Sequence, residues 1–144
     1  MDYKVLEFVL NEVKLNKKVA LATIINVEGS TPSKEGSVIA IKEDGTIIGT
    51  IGGGELEHKA IIEAQKCMDN LTNKTFHYKL NDDKGSLHMQ CGGNVDVFIK
   101  VFEPNEKLLL VGGGHVSLKI YELAKMMDFY TVIFDDREEF CNKD

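Results

Sequence analysis

Three consecutive glycines occur twice in the chain, each time where an apolar stretch gives way to a helical pattern. The first run is Gly52-Gly53-Gly54 in GTIIGTIGGGELEHK, and the second is Gly112-Gly113-Gly114 in LLLVGGGHVS. Glycine is costly to order, so such a run marks backbone that turns sharply or lies against something. Two strand-to-helix junctions of this kind confine the chain to architectures that mix α and β elements.

The patterns around the runs divide the chain. Val5, Leu6, Val9, Leu10 and Val13 recur at helical spacing, which predicts an amphipathic helix over 3–15. KVALATIINVEG (18–29) is rich in β-branched residues and reads as a buried strand. SVIAIKEDGTIIGTI (37–51) is two apolar runs joined at Asp44-Gly45, a hairpin. ELEHKAIIEAQKCMDNL resumes the helical pattern, and TFHYKLN and NVDVFIKVFE alternate as strands do. Residues 1–104 therefore read as an α+β domain with a mostly antiparallel sheet. Beyond Pro104 the character changes. KLLLVGGGHVSLKIYELAKMMDFYTVIFDDREEF reads as strand, glycine turn, helix, strand, the first βαβ unit of a Rossmann-like α/β domain over 105–144. Its strands are apolar throughout, as expected where both faces are covered. One such unit is less than a doubly wound sheet requires, so the chain reads as truncated, a fragment or a short form whose open edge something else covers.

With 43% apolar residues in 144, there is material for an ordinary core. Seventeen basic against 23 acidic residues, a net charge of −6, argue against nucleic acid as a partner. No apolar run approaches the roughly 18 residues that span a bilayer. The charged, alternating MDYKVLEFVLNEVK does not read as a secretory leader, so the expected compartment is cytoplasmic. Cys67, Cys91 and Cys141 form no CxxC pair and no disulfide framework.

Gly112-Gly113-Gly114-His115-Val116-Ser117 fits G-x-G-x-x-G except that Ser117 holds the last place. In a dinucleotide site Gly112 would allow the tight turn and Gly114 would let backbone approach a pyrophosphate at the helix N-terminus. His115 could touch a phosphate, and Asp135, at the end of the next strand, would accept ribose hydroxyls. NAD(P) or FAD would be the ligand; a turn of the same shape that binds nothing is the other reading.

At the first run, the free N–H groups of the new helix and side-chain-free backbone make an anion pocket. Glu55 and Glu57 in the first helical turn would repel a bare phosphate. A ligand with both an anion and several N–H donors, such as a pterin phosphate, reconciles the two. GSTPSKEG (29–36), DGTIIGTIGGGELE (44–57) and LHMQCGG (87–93), followed by LLLVGGGHVS and VIFDDRE, resemble the XdhC/CoxI family. The resemblance implies an accessory factor for xanthine dehydrogenase and related molybdenum hydroxylases. Such factors bind the molybdenum cofactor (molybdopterin), protect it while a terminal sulfur is installed, and help insert it into the apoenzyme. It implies an XdhC-type N-terminal domain followed by a Rossmann domain, a cysteine desulfurase as a further partner, and a homo-oligomer.

Carried over by motif, the implied cofactor-binding residues are Gly29 and Ser30, with Pro32; Gly52, Gly53, Gly54 and Glu57; and Cys91, Gly92 and Gly93. Glu57 would meet the pterin. Cys91, a soft thiolate donor, would face the metal or its sulfur; a small buried hydrophobe at a turn is its other reading. Where the family has Arg after Pro32, this chain has Ser33 and then Lys34, a point charge without the bidentate fork. No substrate turnover is required. The competing readings are an NAD(P)- or FAD-dependent oxidoreductase at Gly112–Ser117 with Asp135, and a degenerate fragment that dimerises through its unfinished sheet. Cys67 beside Met68 reads as core, Glu55 as a helix cap, His58 as a surface residue and His77 as structural. His88 and Cys91 have the spacing of a metal pair, but no second pair accompanies them.

Overall fold

The computed structural model describes residues 2–79 and 93–140. The chain forms two compact units, Met1–Glu103 and Pro104–Asp144.

In the first unit α1 (Asp2–Lys14) leads into β1 (Val19–Glu28), β2 (Val38–Lys42), β3 (Ile47–Gly49), α2 (Gly54–Asn70), β4 (Lys74–Lys79) and β5 (Asn94–Phe102). The strands make one antiparallel sheet in the order β3-β2-β1-β5-β4. The hairpin expected at Asp44-Gly45 joins β2 to β3. Asp44 Oδ1 accepts the Thr46 N–H at 2.8 Å, and Gly45 takes a φ of 83°.

Alternation along β1 assigns the two helices to opposite faces of the sheet. Ala20, Ala22 and Ile24 join the core under α2 with Ile39, Ile41, Val95, Val97 and Ile99. Val19 and Leu21 pack instead with Val5, Val9 and Ala40 under α1. From α2, Leu56, Ala60, Ala64, Cys67 and Met68 face the sheet, a stripe at helical spacing with small residues at its centre. Cys67 is core, as its position beside Met68 predicts.

The apolar face of α1 differs from the one its spacing predicts. Val5 and Val9 are buried, but Leu6, Leu10 and Val13 are exposed, and Glu12 takes the inward place one turn beyond Val9. Glu12 is buried because Lys42 reaches it at 2.8 Å while lying 4.8 Å over the Phe8 ring. The ion pair and ring contact compensate a carboxylate that burial alone would disfavour.

The second unit consists of β6 (Lys107–Val111), α3 (His115–Met126), β7 (Tyr130–Phe134) and a 3-10 turn at Glu138–Phe140. β6 and β7 pair in parallel, from Lys107 opposite Tyr130 to Val111 opposite Phe134. Leu110 and Ala124 are buried, while Val111, Val116, Met126 and Phe134 are exposed. The covering on both faces that the apolar pattern predicts is thus not present among the described residues.

Candidate functional site

Antiparallel pairing collects at one end of the five-stranded sheet the ends of β1, β3 and β4 and the starts of β2 and β5. Glu28 stands opposite Asn94, Asn94 opposite Lys79, and Ile39 opposite Gly49. Segments 29–37 and 50–53, Gly93 and the first turn of α2 therefore share this end.

The first glycine run owes its composition to backbone conformation. Gly52, Gly53 and Gly54 have φ values of 123°, 79° and 64°, a region that side chains disfavour. A Cβ on Gly53 or Gly54 would meet open space, so their bare backbone faces outward. α2 begins without a side-chain cap. Glu57 reaches back from its first turn instead. Its Oε1 accepts the Ile51 N–H at 3.1 Å, the Gly53 N–H at 2.9 Å and the Thr50 hydroxyl. The Gly52 N–H donates to Thr50 Oγ1 at 3.3 Å. This carboxylate thus ties the glycine loop to the helix that follows it. Glu55 pairs with Lys59 at 2.6 Å, which holds its carboxyl below the ordinary value.

Two of the quoted motifs interlock here. The Ser33 hydroxyl donates to the Ile51 carbonyl at 2.9 Å, and the Ser33 N–H donates to Thr31 Oγ1 at 3.1 Å. Ser33 is buried, and a Cβ on Gly52 would come within 2.5 Å of its Oγ. Gly93 closes against the same segment, where a Cβ would stand 2.9 Å from the carbonyls of both Glu28 and Ser30. The structure thus brings together Gly29, Ser30, Gly52, Gly53, Gly54, Glu57 and Gly93. Cys91 and Gly92, with His88 and Met89, lie outside the described residues. Sequence reasoning did not identify Thr31, Thr50 and Ser33 as parts of this junction. Ser33 was noticed only as a departure from a motif, and its burial against Gly52 is a signal no local pattern carries. Among the described residues no group of three or more His, Cys, Asp or Glu side chains is placed to hold a metal ion.

The second glycine run, considered within its own unit, is engaged by its own chain. Gly112, at φ 94°, donates its N–H to the Phe134 carbonyl at 2.7 Å. Asp135 Oδ2 accepts the Gly113 N–H at 2.6 Å, and both of its oxygens accept from the Arg137 guanidinium at 2.9 and 3.0 Å. Arg137, then the Gly113 N–H, hold the Asp135 carboxyl far below its usual range. Arg137 stacks 4.1 Å over the Phe140 ring, and a Cβ on Gly113 would stand 2.5 Å from Phe140 Cβ. The crowded glycine is thus Gly113 rather than Gly114, whose Cβ would meet open space. His115 is exposed at the start of α3.

Residues 13–79 match the XdhC and CoxI family. YqeB, an uncharacterized protein of Escherichia coli (strain K12), is 33% identical over 128 residues, 88% of this chain and 24% of that protein. The molybdenum cofactor insertion chaperone PaoD of the same organism is 23% identical over 107 residues, 74% of this chain and 34% of that protein. The chain thus spans only about a quarter to a third of the curated relatives it matches. A crystal structure of a xanthine dehydrogenase from Bacillus halodurans aligns with a TM-score of 0.51 at 22% identity, over 95% of this chain and 64% of that one, a likeness of fold. No helix among the described residues is long and apolar enough to cross a membrane.

Proposed function

We propose, from the match of residues 13–79 to the XdhC and CoxI family, that the protein binds molybdenum cofactor and hands it to a molybdenum hydroxylase of the xanthine-dehydrogenase type. The observation that carries this reading is the junction of segments 29–33 and 50–57, joined by Ser33 on Ile51 and by Glu57 on the glycine loop. Gly53 and Gly54 turn side-chain-free backbone outward beside an uncapped helix N-terminus, a surface that suits a flat ligand with an anionic end. The name of the relative PaoD points to the same cargo.

In this reading Gly29, Ser30, Gly52, Gly53, Gly54, Gly92 and Gly93 line the cofactor with backbone, and Glu57 holds the loop in shape and presents its carboxylate toward the pterin. Cys91 faces the metal or its terminal sulfur. When bound, the group brings molybdenum and its sulfur as cargo for the client, and a cysteine desulfurase is the sulfur source. The protein acts as a homo-oligomer. Residues 105–144 are the first unit of a Rossmann-like domain, a reading supported by the parallel pairing of β6 and β7 across the glycine turn. NAD(P) or FAD there has no comparable support, since Asp135 already engages Gly113 and Arg137.

Anaerobic gel filtration after incubation with released molybdenum cofactor tests the proposal. Molybdenum and pterin fluorescence are expected in the protein peak near one per chain, and Cys91→Ala and Glu57→Ala are expected to lose them. Absence of both signals from the wild-type peak would overturn the reading.

A further inference from the structure

β1 contains an irregularity that redirects its last residues. Its register with β5 shifts between Ile24, opposite Val97, and Asn26, opposite Asp96, leaving Ile25 as the extra residue. Ala20, Ala22 and Ile24 point into the core under α2. Strict alternation through Ile25 would carry Asn26 and Glu28 inward after them. Because Ile25 is bulged out of the pairing, Val27 packs on that core beside Val95, and Asn26 and Glu28 turn to the opposite face.

The pairing then aligns two polar rows across three strands. Asn26 lies opposite Asp96 and Asp96 opposite His77; Glu28 lies opposite Asn94 and Asn94 opposite Lys79. In the first row Asp96 Oδ1 meets His77 Nδ1 at 2.5 Å, and Asp96 Oδ2 accepts from Asn26 Nδ2 at 3.2 Å. In the second row Asn94 Nδ2 reaches Glu28 Oε2 at 3.4 Å. His77 and then Asn26 hold the Asp96 carboxyl below its ordinary value. These six residues line a groove of about 700 Å³ together with Tyr78 and Lys59 from the α2 side of the sheet. An exposed sheet face is ordinarily polar. Here the polar rows border a groove, and their imidazole is oriented by a carboxylate that an amide holds in turn. Among the described residues the outer nitrogen of this 79% exposed ring has no hydrogen-bond partner, which leaves it to a ligand.

We propose that this groove is a binding subsite for a small heterocycle with an N–H-rich edge and a phosphate group. Glu28 and the carboxamide oxygens of Asn26 and Asn94 accept from the edge, and His77 and Lys79 receive the phosphate. The assignment deepens the cofactor reading and rests on it, since the pterin end of that cofactor belongs to this chemical class. It adds Glu28 as a second carboxylate beside Glu57, whose Oε1 already has three donors.

The test uses the full chain and a fluorescent pterin bearing a side-chain phosphate, followed by anisotropy, with inorganic phosphate as competitor. Glu28→Gln and His77→Gln are each expected to weaken binding about tenfold or more, while Lys66→Gln on the outer face of α2 leaves it unchanged. Circular dichroism checks folding, and the His77 Nε2 resonance in ¹⁵N NMR is expected to move on addition of the probe. Unchanged anisotropy in both variants, or a stationary His77 resonance while the probe binds, overturns the subsite. The two readings fail separately. Cofactor retained by wild type and undiminished in Glu28→Gln and His77→Gln refutes the groove alone. Probe binding lost in those variants, with no cofactor retained by wild type, supports the groove and refutes the cargo reading.

Discussion

At Glu57 one carboxylate oxygen gathers two backbone N–H groups and a hydroxyl. Removing it strands donors in a partly buried loop, so Glu57→Ala is expected to lower the unfolding free energy by about 1–3 kcal/mol, read by urea denaturation. Tyr78 supplies a prediction in pH. Burial, followed by Glu63 and Cys67 nearby, pushes its phenol up to about 12, and its hydroxyl has no hydrogen-bond partner among the described residues. The unfolded phenol titrates near 10. Because the folded value is the higher one, the stabilisation is complete below pH 10 and is lost as pH rises from there through about 12. Tyr78→Phe is expected to flatten the fall in stability above pH 10, measured by denaturant melts at increasing pH.

Among the elements, the glycine loop and the β1 bulge answer to different forces. Gly52 combines a φ of 123° with a neighbour 2.5 Å from its missing Cβ, whereas Gly53 has a positive φ but open space. Gly52→Ala is therefore expected to cost several kcal/mol and Gly53→Ala about 1–2 kcal/mol, the backbone part alone, compared by thermal or urea unfolding. Deleting Ile25 would join Ile24 directly to Asn26 and leave Ile24 and Val27 facing the core under α2, with Asn26 and Glu28 still on the opposite face. The expected result is a melt that stays cooperative, whereas inserting a second residue beside Ile25 would turn Asn26 and Glu28 inward and broaden it. Helix and strand spans were legible because periodicity, Asp-Gly turn chemistry and glycine placement are local. The inward face of α1 was not, because Lys42 makes a buried Glu12 tolerable and Leu6 and Leu10 are left outside.

For the molecule as a whole, the chain divides into Met1–Glu103 and Pro104–Asp144, and the second unit carries its own pH dependence. Asp135 ties the second glycine turn to Arg137 within the latter unit. Its folded pKa is depressed, so its contribution is present above the unfolded carboxylate range near pH 4 and is lost as pH falls below it. Asp135→Asn is expected to raise amide exchange at Gly113 and its neighbours, with the exchange of the five-stranded sheet followed alongside. Hydrogen-exchange mass spectrometry reads both.

The candidate site was legible in part. The glycine runs, Glu57 and the 29–36 segment stand out as local motifs, because unusual backbone demands unusual residues. Their junction through Ser33 was not legible, and His77 reads from its strand as merely structural. Which polar side chains meet depends on strand register and on a single bulged residue. Asn26 and Asp96 lie 70 residues apart and are brought together by pairing energies that belong to the folded sheet rather than to either segment.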